Sequence, residues 1–71
     1  MSPIRKRSVT IRGHRTSYSL EDAFQDELEN IASARSMPLA ALIARIDEGR
    51  PRDTNLSSAL RLFVLEAVRK G

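Results

Sequence analysis

Residues 6–22 read KRSVTIRGHRTSYSLED, and the folding of this stretch decides what the rest of the chain is built around. It is basic, then alternating, then acidic. Ser8-Val9-Thr10-Ile11-Arg12 alternates polar and apolar side chains and is rich in β-branched residues, the pattern of a half-buried strand. Arg15-Thr16-Ser17-Tyr18-Ser19 alternates again with the opposite parity. Polar residues are even-numbered before Gly13 and odd-numbered after His14. One straight strand would divide them between two faces. A two-residue loop at Gly13-His14 removes the conflict: Arg12 then opposes Arg15, Thr10 opposes Ser17, and Ser8 opposes Ser19. Those six residues share one face, while Val9, Ile11, Thr16 and Tyr18 share the other. Gly13 at the first loop position suits a type II′ turn, which needs φ > 0 there. Opposed Arg12 and Arg15 repel each other, a local cost that points to an anionic partner. The other reading is a glycine-hinged arm leading into one short strand.

Working outward, the stretch sits at the cationic end of the molecule. Arg5, Lys6, Arg7, Arg12 and Arg15 fall within residues 1–16, which contain no acid, so this end carries +5. The remaining seven cations and nine acids of the 71-residue chain give −2. Positive charge gathered at one end is the electrostatic footprint of a polyanion-binding protein; a solvated, solubilising tail is the plainer alternative. Met1 to Arg7 shows no periodicity and reads as a flexible basic arm.

The acidic end of the stretch opens a run of helices. Ser19 is a candidate N-cap with Asp22 three residues on, and Glu21 and Asp22 suit the positive end of a helix dipole. Ala23, Phe24, Leu28, Ile31 and Ala32 recur at helical spacing, which predicts a helix over about 20–35. Pro38 suits the first turn of a second helix, about 38–48, with Leu39, Leu42, Ile43 and Ile46 as its stripe and Gly49 as its terminator. Asn55 or Ser57 can cap a third helix over about 55–70. There Leu56, Leu60, Phe63, Val64 and Ala67 form one stripe, and Leu62, Leu65 and Val68 widen it around most of the circumference. A helix apolar on most sides is buried on most sides, and in so short a chain that surface is expected to meet another subunit. Residues 8–71 are therefore read as a single domain: mostly α, with a short N-terminal β-ribbon of strands at about 8–12 and 15–19.

Composition closes off other classes. A chain of 71 residues with no Cys has no disulfide framework and no thiolate metal site, and one His is too few for a zinc centre. No metal or other cofactor is expected. Oligomerisation remains as the route to stability. No apolar run reaches the roughly 18 residues of a membrane span, and no apolar segment follows the N-terminal charges, so a soluble, cytoplasmic protein is expected, with no membrane partner. There is no nucleophile elbow and no Gly-rich phosphate loop. His14 lies at a loop tip between two arginines without an orienting partner, so no catalytic residue is assigned and no enzyme is expected.

Binding chemistry is better supported. A DNA major groove, about 12 Å wide, accepts a two-stranded ribbon; Arg pairs with guanine, Ser and Thr reach several base edges, and flanking cations contact phosphates. The segment RTSYSLEDAFQDELENIASARSMPLAALIARI, residues 15–46, resembles the ribbon-helix-helix family of DNA-binding regulators. What carries the resemblance is a short Arg/Thr/Ser strand, Leu-acid, an amphipathic helix, a tight turn, and a second helix opening with small residues and "LxxLI". The likeness spans about Ser8 to Ile46. The hairpin together with "SLEDAF" looks like a bacterial subfamily with an added C-terminal helix.

The resemblance implies a homodimer in which strands of two chains pair above a shared helical core. Tyr18 and Leu20 would point into that core, and the apolar stripes of the three helices add Phe24, Leu28, Leu42, Ile43, Leu60 and Phe63 to it. The resemblance implies DNA contacts from Arg15, Ser17 and Ser19; the shared face of the hairpin adds Thr10 and Arg12, and the charge of the arm adds phosphate contacts from Arg5, Lys6 and Arg7. The resemblance also implies a phosphate anchor at the backbone N–H groups of Leu39 and Ala40. The family pattern has Gly before its second helix and Ser in that helix's first turn; here stand Ser36, Pro38 and Ala40. "NLSSALRLFVLEAVRKG" also resembles the family's second helix, with residues 38–53 then an insertion, but spacing to the first helix favours the earlier segment. If each chain forms a hairpin, edge pairing across a dimer would give four strands, too wide to lie flat in the groove. The expected function is a sequence-specific DNA-binding transcriptional regulator. The alternative is a protein-interaction or antitoxin-like module whose basic sheet binds an acidic protein or RNA.

Overall fold

The structure, a computed structural model, describes residues 3–70. Strand β1 (Ile4–Ile11) pairs antiparallel with β2 (His14–Glu21), followed by α1 (Asp22–Ala34), α2 (Leu39–Gly49) and α3 (Leu56–Lys70). The two strands form a hairpin within one chain, and the three helices pack beneath it.

The hairpin is the expected element with a different turn. The loop is Arg12-Gly13, and the register runs Ile11↔His14, Thr10↔Arg15, Val9↔Thr16, Ser8↔Ser17, Arg7↔Tyr18, Lys6↔Ser19. Arg12 has φ 50° and Gly13 φ 80°, so both loop residues are left-handed, as a type I′ turn requires. A left-handed Arg costs roughly 1–2 kcal/mol, and the fold offsets it. Freed from the ladder, Arg12 reaches α2, where Nη2 donates to Asp47 Oδ2 at 3.0 Å and Nη1 lies 3.7 Å from Glu48. The expected Arg12–Arg15 opposition is absent, because Thr10 faces Arg15 instead.

β1 begins at Ile4, so Arg5, Lys6 and Arg7 belong to the ribbon, where the sequence suggested an arm over 1–7; Met1 and Ser2 lie outside the described residues. The strand extends because its partner does: Leu20 and Glu21, expected in the first helix, continue β2. Ser19 accordingly caps nothing. The residue before α1 is Glu21, with no side-chain cap bond. At the other end of α1, Met37 N–H donates to Ala32 O and Ser36 N–H to Ser33 O, with Ser36 left-handed at φ 55°. This is the paired-bond helix stop that normally uses Gly. Pro38 precedes α2 as its cap, one position earlier than expected, while Gly49 is the last helical residue. Asn55 caps α3, its Oδ1 accepting from Ser58 N–H at 2.9 Å.

The core takes residues from β2 and every helix. Leu20, Leu28, Leu42, Ile43 and Leu60 are fully buried; each contributes about 1.5–3 kcal/mol of burial. Tyr18 is buried beside them, and its hydroxyl donates to Gln25 Oε1 at 2.9 Å, while Gln25 Nε2 donates to Glu29 at 2.9 Å. Burial raises the Tyr18 pKa above its ordinary value, with the Gln25 hydrogen bond opposing the rise.

Candidate nucleic-acid interface

Opposed residues of a hairpin share a face, so the register assigns every ribbon side chain. One face carries the cross-strand pairs Lys6–Ser19, Ser8–Ser17 and Thr10–Arg15. Lys6, Ser8, Thr10, Arg15 and Ser17 are exposed, and Ser19 is half-buried. The other face carries Arg5, Arg7, Val9, Ile11, Thr16, Tyr18 and Leu20, with Ile11, Tyr18 and Leu20 buried against the helices. Along these three pairs the outward face has two cations, four hydroxyls and no acid; the fourth pair of the same face, Ile4–Glu21, ends the ribbon with an acid held by Arg61.

Of the eight ribbon residues expected to contact DNA, five lie together on this face: Lys6, Thr10, Arg15, Ser17 and Ser19. Three do not. Arg5 and Arg7 point to the helix side, where Arg5 Nε is 3.1 Å and Arg7 Nη2 2.7 Å from the same Asp22 Oδ1. Arg7 Nε is buried without a partner among the described residues. Arg12 sits in the turn and is engaged by α2. By contrast Lys6 and Arg15 have no carboxylate partner among the described residues.

Ser19 has a second role. Its N–H donates to Ser57 Oγ at 2.8 Å, and its carbonyl accepts from Arg61 Nη2 at 3.3 Å. Both groups therefore point away from β1, and α3 closes the outer edge of β2 at that residue. Arg61 Nε also holds Glu21 at 3.0 Å. The Glu21 carboxyl lies below its ordinary range, first because its own backbone N–H donates to it and then because of Arg61. Ser57 and Arg61 were not singled out as a pair by the sequence reading. Their four-residue spacing, which puts them one turn apart on α3, is the signal that could have found them.

At the α2 N-terminus, Ala41 and Leu42 N–H groups donate to Pro38 O. Leu39 and Ala40 occupy the first two helical positions, whose N–H groups have no intrahelical acceptor. The missing N–H of Pro38 falls outside that pair. Six of the eight residues expected in a dimer core, Tyr18, Leu20, Leu28, Leu42, Ile43 and Leu60, are already buried within the single chain; Phe24 and Phe63 are half-buried. Among the described residues no cluster of potential metal ligands occurs, and no helix is long and apolar enough to cross a membrane.

A family model described as a ribbon-helix-helix domain matches residues 4–68, from the first strand residue almost to the end of α3. No curated protein matches the chain, and no solved structure matches it.

Proposed function

From the premise that this chain belongs to the ribbon-helix-helix domain family, we propose that it is a sequence-specific DNA-binding transcriptional regulator. It acts as a homodimer and lays the outward face of the ribbon in the major groove. The observation that carries this is the sorting of charge between the ribbon's two faces. Arg5 and Arg7 share the one carboxylate of Asp22 beneath the sheet, while Lys6 and Arg15 stand exposed among hydroxyls with no carboxylate partner among the described residues. Cations without internal partners, on a rib of the width a groove accepts, suit phosphate and guanine contacts. Ser8, Thr10, Ser17 and Ser19 supply short donors and acceptors for base edges. Leu39 and Ala40 offer free N–H groups to a phosphate oxygen, which would fix the register on the duplex.

Selection of bound sequences from a random DNA pool tests the reading. Enrichment of a defined motif is expected, with binding that weakens steeply as salt rises. Binding to RNA with equal affinity, or no enrichment at any salt, would replace it with the interaction-module alternative.

A further inference from the structure

We propose that the groove between α2, the loop that follows it and α3 is a binding site for a small amphipathic anion, an apolar body with a carboxylate or phosphate head. The inference depends neither on DNA nor on the regulator reading.

The groove has a volume of about 430 Å³, within the range of small-ligand pockets. Its wall is apolar. Leu42 and Ala59 are buried, and Ile46 from α2 and Phe63 from α3 are half-buried beside them. Pro51 and Thr54 of the α2–α3 loop complete the lining. That loop is held in shape by its own hydrogen bonds. Arg50 Nε donates to Asp47 Oδ1 at 2.7 Å, Arg50 Nη1 to the Thr54 carbonyl at 2.7 Å, and Thr54 N–H to the Pro51 carbonyl at 3.1 Å. A wall fixed before a ligand arrives loses little entropy when the ligand binds.

The charge at the groove has one sign. Arg35, Arg45 and Arg50 line it, and among the described residues no carboxylate does. Arg50 is committed to Asp47 and the loop, which leaves Arg35 and Arg45 for a ligand. Both are exposed, and neither has a carboxylate partner among the described residues. Arg35 stacks over the Phe63 ring at 5.4 Å, a contact that holds its guanidinium against the apolar wall. Two cations beside an apolar cavity are complementary to a molecule that is apolar along its length and anionic at one end. Guanidinium groups offer paired N–H donors to carboxylate and phosphate oxygens alike.

A second groove supplies the contrast. Phe24, Val64 and Val68 line it, its volume is about 210 Å³, and its charged residue is Glu27. It is apolar too, but half the size, and its carboxylate repels an anion. An amphipathic anion should therefore enter the first groove and avoid the second. A probe recognised only by its apolar surface would have no such preference.

The test titrates the intact chain, in whatever oligomeric state it adopts, by calorimetry and by mapping amide chemical shifts. Decanoate and decyl phosphate are the probes. Decanol lacks their charge; acetate and inorganic phosphate lack their tail. At least one of the two probes should bind with a dissociation constant of about 0.1 mM, and the tighter of them names the head group. The amides of Gly49, Thr54 and Ala59 should shift, and those of Ala23 and Val68 should not. Arg35→Gln and Arg45→Gln should each weaken binding about tenfold. Both side chains are exposed, so circular dichroism should show the fold retained. The proposal is overturned if neither probe binds at about 10 mM, which is also the result expected if a second copy of this chain covers the groove. Binding of decanol, acetate or inorganic phosphate as tight as that of the probes would overturn it as well. So would shifts centred on the Glu27 groove, or wild-type affinity in both arginine variants.

Discussion

The two faces of the ribbon are cut from the same strands, yet their cations meet opposite fates. Beneath the sheet, Arg5 and Arg7 converge on Asp22 at the first turn of α1, where a carboxylate also suits the helix dipole. Above it, Lys6, which lies between them in sequence, and Arg15 have no carboxylate partner among the described residues. Adjacent residues of a strand point to opposite sides. The run Arg5-Lys6-Arg7 is therefore not one basic patch: two of its charges hold the sheet to the helices and one faces outward. Counting charge along the chain overstates what is available to a polyanion.

The largest effect that could break this comparison is on binding. Lys6→Ala with Arg15→Ala should weaken DNA binding by about 2–4 kcal/mol while leaving the melting temperature nearly unchanged. A matching loss from Arg5→Ala with Arg7→Ala, at unchanged stability, would show that the two faces are not distinct. Next in size, Asp22→Ala should cost about 1 kcal/mol of stability. It removes both arginines' partner and leaves the half-buried Arg7 uncompensated, a fall of several degrees in melting temperature for a chain this size. DNA binding by the fraction still folded should be little changed. The turn that joins the faces comes third. Gly13 has φ 80° with open space around its Cα, so Gly13→Ala should cost about 1 kcal/mol through backbone strain alone. Denaturant unfolding would read it.

The smallest effect is on pH dependence and sharpens the role of the turn. The hydrogen bond from Arg50 holds the Asp47 carboxyl below its ordinary value of 3.8, and Arg12 adds to this. A carboxylate with a lowered folded pKa stabilises the fold above its unfolded value, and that contribution is lost as pH falls through the folded one. Thermal stability should therefore decline as pH falls from about 5 through 3.8 and below, and Asp47→Asn should flatten part of that decline. An unchanged slope would mean that Asp47 does not tether the turn.

The faces of the ribbon are legible in the sequence, although the turn is not. Face assignment depends on the length of the loop and not on its position: moving a two-residue loop from Gly13-His14 to Arg12-Gly13 shifts every pair but leaves Ser8, Thr10, Arg15, Ser17 and Ser19 together. Choosing between those loops requires knowing that Arg12 finds Asp47, 35 residues away, which no local pattern contains. The start of β1 is hidden for a similar reason. Ile4 to Arg7 does not alternate cleanly and becomes a strand because Tyr18 to Glu21 are there to pair with it. The helices read well because each has an apolar stripe, and errors fall at their ends. Ser36 in a left-handed conformation, where the family pattern has Gly, shows that hydrogen bonds to Ala32 and Ser33 carry the stop without the usual residue.

A hairpin that supplies both strands also sets the tempo of assembly. Its pairs, from Ile11↔His14 out to Ile4↔Glu21, are all close in sequence. They can close in microseconds within one chain, at a rate that dilution does not alter. The outward face is then complete within one chain, and in the proposed homodimer subunit encounter would be a later, concentration-dependent step that joins two finished surfaces.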